Sequence, residues 1–360
     1  MNMPRQVAQT LFLEPIDVLY LRGNKSFGAA GDHGESLMPP WPSLAAGAIR
    51  SRLMAEGETL ESLAPFRLTR FGLARQTNDG EVEALWPLPA DVFVTQDDSS
   101  TPPKLSNPAY LRPTAPPAGI ASSHALPLLP ALCAAKPGKP VNGLWLNGPG
   151  IAAWLAGQPI RPAHLLRSSE LWQTDPRLGI ALDPTTRRAA DKKIYTTETV
   201  ALRKKVGFIA SSSGHQRRLA DGDLVRLGGD GRAAKVSRVS AALPLTDWAR
   251  IEREGRFRLI LTSPGIFPAG WQPAGVPGDL LAASVSRAET ISGWDLLTGK
   301  PKPAQRIAPT GSVYWYACRD KLADLAPLKF LVDNGLPIDD PTRRAEGFNH
   351  CHVAPWAEEN

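Results

Sequence analysis

The sequence predicts an α+β chain made of two units of similar rhythm. Strand-like runs such as TLFLEPIDVLYL (Thr10 to Leu21) and FRLILTSP (Phe257 to Pro264) alternate with short amphipathic helical runs. Proline (35 residues) and glycine (31) are too frequent for a helical bundle and imply short elements with long ordered connections. A chain of 360 residues with an apolar share of 42% can fill two modest cores or one large one.

The elements follow in order. TLFLEPIDVLYL, rich in large apolar residues and broken by Pro15, is the first strand. A glycine-rich loop, RGNKSFGAAGDHGES, runs from Arg22 to Ser36. The prolines of MPPWP stop before Ser43, which is set to N-cap a helix. Leu44, Gly47, Ala48 and Leu53 fall near one face of that helix, and Gly57 ends it. LWPLPADVFV (Leu85 to Val94) contains another strand. From about Asp97 to Pro140 the prolines crowd too densely for regular structure, so this stretch reads as an insertion or flap. IAAWLAGQPI is a short helix and LLRSSELW a second one. KKIYTTETVAL and KVGFIASSS carry β-branched and aromatic residues and read as a two-strand pair. LADGDLVRLGGDGRAAKVSRV reads as a short helix, a glycine loop and a strand. PLTDWARIERE is helical, and FRLILTSP and GSVYWYAC are strands. The rhythm divides the chain into an N-terminal module, 1–242, carrying the proline-rich insertion, and a C-terminal module, 243–360.

The net charge is +6, and its distribution is uneven. Between Arg187 and Arg238 stand 13 Lys or Arg against 5 Asp or Glu, leaving the rest of the chain slightly acidic. Most of those cations are arginines, whose planar fork matches phosphate, so the region points to a polyanion. No apolar run approaches the roughly 18 residues of a membrane span. The N-terminus lacks a basic stretch followed by a sustained apolar core, so no secretory signal is expected. Cys133, Cys318 and Cys351 are few, odd in number and without CxxC spacing, which fits a reducing cytoplasm.

Seven motifs then stand in order: LFLEPIDVLYLRGNKSFG, MPPWPSLAAGAIRS, LGIALDPTTRRAADKKIYTTETVAL, LGGDGRAAKV, LTSPGIF with PAGW, ISGWDLLTGKPKP, and APTGSVYWY. Together, from about Leu11 to Tyr316, they resemble the RAMP superfamily of CRISPR systems, and within it the family of third subunits of type III-B Cmr effector complexes. The resemblance implies two ferredoxin-like (RRM-like) βαββαβ modules, one closed by the superfamily's glycine-rich loop. It implies a place beside the Cas10-type large subunit and the first backbone RAMP subunit, where such subunits help hold the five-prime handle of the crRNA. It also implies a non-catalytic role without a cofactor.

The candidate contacts follow from side-chain chemistry. Gly228, Gly229 and Gly231 lack Cβ, so their N–H groups can approach a phosphate or a neighbouring strand closely. The GK[ST] of a Walker A loop is missing, and on pattern alone a phosphate cradle and a tight turn stand equal. The resemblance tilts the choice to a structural loop at a helix-to-strand junction, with Arg232 exposed beside the RNA path. Arg22, Lys25, Phe27 and His33 join cations to a ring able to stack on a splayed base; the alternative places Phe27 in the core. The helix starting at Ser43 offers Arg50, for which a solvated position is the alternative. Arg187, Arg188, Lys192 and Lys193 would grip a nucleic-acid backbone without reading bases. Tyr314, Trp315 and Tyr316 are assigned to the core.

Two other readings compete with an RNA-binding subunit. One is a metal-independent RAMP endoribonuclease that cuts precursor crRNA, with His33 as the general acid or base. The six histidines are scattered, which counts against it. The other is a protein scaffold whose basic region meets an acidic partner. His350, Cys351 and His352 resemble a metal fragment, but neighbours on an extended chain face opposite ways and no second pair lies at zinc spacing, so no metal is expected.

Overall fold

The structure, a computed structural model, describes residues 7–23, 33–34, 36–97, 99, 101, 103–119, 126–132, 138–183, 185–241, 243–295, 299–318 and 324–356. The chain forms two compact units and passes between them repeatedly: 1–82, 169–240 and 290–305 make the first, and 83–168, 241–289 and 306–360 the second. The sequential division at 242 is therefore too simple. Residues 83–168 belong with the C-terminal part, because Asp91 and Trp154 are committed to Arg258 there.

The main elements, in chain order, are strand β1 (Val7–Pro15), helix α1 (Ser43–Ala55), β2 (Arg67–Gln76), β3 (Ala109–Thr114), β4 (Leu129–Leu132), α2 (Gly148–Leu155), β5 (Trp172–Leu182), β6 (Ala189–Leu202) and β7 (Val206–His215). They continue with β8 (Leu224–Arg226), β9 (Ala233–Arg238), α3 (Trp248–Glu254), β10 (Arg256–Leu261), β11 (Asp279–Ser284), β12 (Val313–Ala317), α4 (Ala326–Asn334), α5 (Pro341–Ala345) and β13 (Cys351–Ala354). Among the described residues no helix is long and apolar enough to cross a membrane. The architecture is mixed α+β, with sheets that are mostly antiparallel.

In the first unit the strands lie in the order β8-β9-β1-β7-β2. Leu11 stands opposite Ala210 and Arg238, and Leu13 opposite Phe208 and Val236. Helix α1 packs on β2 and β8 through Ala45, Ala46, Ala48, Ile49 and Leu53. That face differs from the expected one: Leu44 is half-buried and Gly47 exposed. Ser43 is the first helical residue rather than the cap; the cap position is Pro42, with no side-chain hydrogen bond. The two segments read as one pair do not pair. β6 joins β5, while β7 lies between β1 and β2. The backbone of β7 is paired with β1 at one edge and with β2 at the other, which leaves no edge free for β6. The helix expected before the glycine loop is also absent. Gly222 adopts a φ of 91°, and the Asp223 carboxylate accepts from the Ala220 N–H, which makes ADGD a turn into β8.

In the second unit the order is β11-β12-β10-β13. Tyr314, Trp315 and Tyr316 are all buried, as assigned. LLRSSELW is a short strand, Leu165–Arg167, and one helical turn, Ser168–Leu171, rather than a helix throughout. The proline-rich stretch holds more regular structure than its composition suggests. β4 pairs with β3, with Pro130 opposite Pro113, and β4 is an edge strand, where a missing N–H is tolerated.

One interaction ties this unit together. Arg258, in the middle of β10, is 1% exposed. Its guanidinium donates to the Asp91 carboxylate, to the Pro355 carbonyl at 2.9 Å and to the Trp154 carbonyl at 3.2 Å, and lies 4.4 Å from the centre of the Trp154 ring. The other Asp91 oxygen accepts from the Trp154 indole N–H at 3.1 Å.

Removing one member of a buried ion pair strands the other. Asp91→Ala should therefore lower unfolding free energy by roughly 3–5 kcal/mol in urea melts, and the double change Asp91→Leu with Arg258→Met should lower it less. The Tyr316 hydroxyl is buried with no hydrogen-bond partner among the described residues. Tyr316→Phe should leave the urea midpoint unchanged or raise stability by about 1 kcal/mol; a loss of that size would show that the hydroxyl has a partner.

Candidate nucleic-acid interface

The basic segment of the sequence folds into the first unit, around the short stretch that leaves β1. Leu19 bridges Val200 of β6, with backbone bonds of 2.8 and 2.9 Å in both directions. Tyr20 bridges Gly229, and Arg22 bridges Ser36. Ser36 is clipped to Glu198: its N–H donates to the carboxylate at 3.2 Å and its hydroxyl to the carbonyl at 2.6 Å. His33 and Gly34 run parallel to Thr196 and Thr197 of β6. Both ends of the early loop are thus fastened beside β6, and the glycine loop lies against Tyr20. Arg22 is exposed there. Lys25 and Phe27 lie outside the described residues, as do the side chains of His33, Lys192 and Lys193.

The glycine loop is the turn of a β-hairpin between β8 and β9, not a helix-to-strand junction. Leu227 N–H donates to the Arg232 carbonyl at 2.8 Å, and Gly228, Asp230 and Gly231 all have positive φ. The Gly229 N–H is spent on the Tyr20 carbonyl at 2.8 Å. A Cβ at Gly228 would stand 2.8 Å from that same oxygen, whereas one at Gly231 would meet open space. Close approach to a neighbouring backbone, rather than a phosphate cradle, explains the first two glycines.

Arg232 is not the exposed cation expected from the sequence. It pairs with Asp17 and with Asp230 at 3.6 Å, and its guanidinium sits 5.3 Å from the centre of the Tyr20 ring, leaving the side chain 23% exposed. Two carboxylates neutralise it. The cations of α1 are similarly engaged. Half-buried Arg50 lies 5.9 Å over the Phe66 ring, and Arg52 is paired with Glu56 and Asp223. Neither projects as a free phosphate ligand.

Arg187 and Arg188 behave differently. They cap the ribbon of β5 and β6, whose register runs from Trp172–Leu202 at its base to Leu182–Ala189 near its tip. From Thr196 to Arg188 the ribbon extends roughly 26 Å at ordinary strand rise. Its turn is closed by hydrogen bonds between Asp183 and Arg188 and between Arg187 and Asp183, each 2.8 Å. The Asp183 carboxylate accepts from the Thr186 N–H and hydroxyl and from the Thr185 N–H, which hold its carboxyl below the usual range. Both arginines are exposed and have no ion pair among the described residues.

One face of β5 adds a feature missed in the sequence. Leu178, Ile180 and Leu182 are 72%, 51% and 64% exposed, an apolar stripe on a solvated ribbon. The alternation in LGIALD was the available signal, but it looks like that of any half-buried strand.

Two of the other histidines are engaged within the fold. His215 is buried, its Nδ1 donating to the Arg217 carbonyl at 2.7 Å and its Nε2 accepting from the Ser212 hydroxyl at 3.1 Å. Cys351 is buried in the core of β13, and burial pushes its thiol up to about 12. His352 packs against Trp86. No cluster of three His, Cys, Asp or Glu among the described residues could hold a metal ion.

A family model described as "CRISPR-associated protein (Cas_Cmr3)" matches residues 11–356. No curated protein matches the sequence. Among solved structures, the chain is similar to a chain of the type III-B Cmr-beta complex bound to cognate target RNA and AMPPnP, with a TM-score of 0.51 and 15% identity over 97% of this chain and 100% of that one. It is also similar to a chain of type III-B Cmr-beta bound to cognate target RNA, with a TM-score of 0.52 and 15% identity over 96% and 98%. At this identity the likeness is one of fold.

The glycine loop gives a contrast that urea melts can measure. Gly231→Ala, strained but unobstructed, should cost about 1 kcal/mol. Gly228→Ala, which must also push away the Tyr20 backbone, should cost at least twice as much.

Proposed function

The chain belongs to the Cas_Cmr3 family of CRISPR-associated proteins, and from that membership we propose that it is a non-catalytic, crRNA-binding structural subunit of a type III-B Cmr effector complex. In this reading it works in the cytoplasm without a cofactor, holds the five-prime handle of the crRNA, and docks the Cas10-type large subunit and the first backbone RAMP subunit. Each central sheet is read as a ferredoxin-like module with one helix missing. The order β9-β1-β7-β2 keeps the first helix as α1, and β11-β12-β10-β13 keeps the second as α4.

The observation that carries the RNA-binding reading is the ribbon of β5 and β6. It presents two exposed arginines, in no ion pair among the described residues, on a hydrogen-bonded turn, with an apolar stripe along β5. Arginines at the tip suit phosphate oxygens, and aliphatic side chains suit the faces of unstacked bases. The clipped loop beside β6 adds Arg22 near the ribbon's base. Net charge contributes less than its total suggests, because Arg232 and Arg52 are already paired within the fold.

Binding of labelled handle RNA to the purified chain tests the proposal. Arg187→Ala combined with Arg188→Ala should weaken binding about tenfold at moderate salt and flatten the slope of log affinity against log salt by roughly 1.4, the loss of two single-strand phosphate contacts. Unchanged affinity and slope would remove the ribbon tip from the interface. RNA cleavage that disappears in His33→Ala would overturn the non-catalytic assignment in favour of an endoribonuclease.

A further inference from the structure

The second unit contains a cleft of about 380 Å³ with no part in the RNA-binding reading. It opens where two edge strands diverge. β4 is the outer strand of its sheet and β11 the outer strand of another, and the Leu128 N–H donates to the Leu281 carbonyl at 2.9 Å. Beyond that bond no backbone hydrogen bond joins the two edges among the described residues. Leu128, Leu129 and Pro130 form one wall, and Ala283 and Val285 the other. Half-buried Trp271, buried Ile307 and exposed Arg306 complete the lining.

The walls are held in place without a ligand. The Tyr314 hydroxyl donates to the Trp271 carbonyl at 2.7 Å, fixing the loop that carries the indole. Ala308, next to Ile307, makes reciprocal backbone bonds of 2.8 and 2.9 Å with Gly265. The volume lies at the small end of ligand sites, enough for one large side chain and its neighbour. Arg306 is exposed and has no ion pair among the described residues, unlike Arg232 and Arg258. An apolar lining with a single exposed cation is poorly matched to a polyphosphate, which needs several donors. It complements an apolar group with one carboxylate beside it. The diverging strand edges supply the backbone donors and acceptors that an extended peptide uses.

We propose that this cleft docks an extended, acidic segment of a partner protein, seating one large apolar side chain against Trp271 and a neighbouring carboxylate on Arg306. The site shares no lining residue with the ribbon or with the early loop.

The full chain can be titrated with a fluorescent octapeptide of serines carrying a central Phe-Asp pair, alongside versions with Ala for the Phe or Asn for the Asp. The Phe-Asp peptide should bind at least tenfold more tightly than either version. Arg306→Gln should abolish the preference for Asp over Asn, and Ala288→Trp, a bulky change at an exposed lining position, should abolish binding. Neither variant should alter handle-RNA affinity, which shows that the chain remains folded. Equal binding of all three peptides, or binding untouched by both variants, would overturn the proposal. Binding of free N-acetylphenylalanine as tight as that of the octapeptide would also overturn it, in favour of a small-carboxylate site.

Discussion

The second unit is organised around a charge that cannot reach water. Arg258 lies in the centre of a sheet, and every group it meets comes from elsewhere in the sequence: Asp91 and Trp154 from 83–168, and Pro355 from beyond β12. Burying a guanidinium is tolerable only if each donor is satisfied and the charge is balanced. Here a carboxylate, two carbonyls and an aromatic face do so together. The requirement reaches far: Asp91 must be delivered by a proline-bounded segment, Trp154 by a short helix, and Pro355 by the strand that flanks β10. The path of the chain into this unit on three occasions is a corollary of where those partners sit.

The first unit makes the opposite use of the same side chain. Its arginines are numerous, and most are spent on the fold. Arg232 rests on Tyr20 between two aspartates, and Arg52 links α1 to the turn before β8. A regional excess of cations is therefore a poor measure of an interaction surface, since a paired arginine offers little to a phosphate. Arg187 and Arg188, by contrast with Arg232 and Arg52, are exposed and in no ion pair among the described residues. The Asp183 carboxylate accepts from threonine donors, and the arginines of the same turn form no ion pair with it and stay exposed.

Much of this was legible in the residues. Thr10 to Pro15, FRLILTSP and GSVYWYAC read as strands because large or β-branched residues dominate them, and PLTDWARIERE reads as a helix, with Asp247 capping it through the Arg250 N–H. Pattern alone identifies strands but not their partners, so β6 and β7, separated by three residues, read as a pair although each belongs to a different sheet. The partner of Arg232 was out of reach for the same reason: Asp17 lies 215 positions away. The stripe Leu178, Ile180, Leu182 has the period of a half-buried strand, and only the fold reveals that these side chains stand exposed among the described residues. Proline density misled in its own way, because an edge strand loses little when an N–H is missing.

The interleaving of the two units carries a consequence for synthesis and for dissection. Asp91 leaves the ribosome 167 residues ahead of Arg258, and the strand 351–354 that completes the sheet follows later still. The second core therefore cannot close behind the growing chain, and its long-range pairings place it among slowly assembled topologies. No single cut in the polypeptide liberates either unit whole. A fragment ending near 242 would keep the ribbon and lose the arginine that residues 83–168 are folded to meet, so neither half of the chain holds a complete set of core contacts.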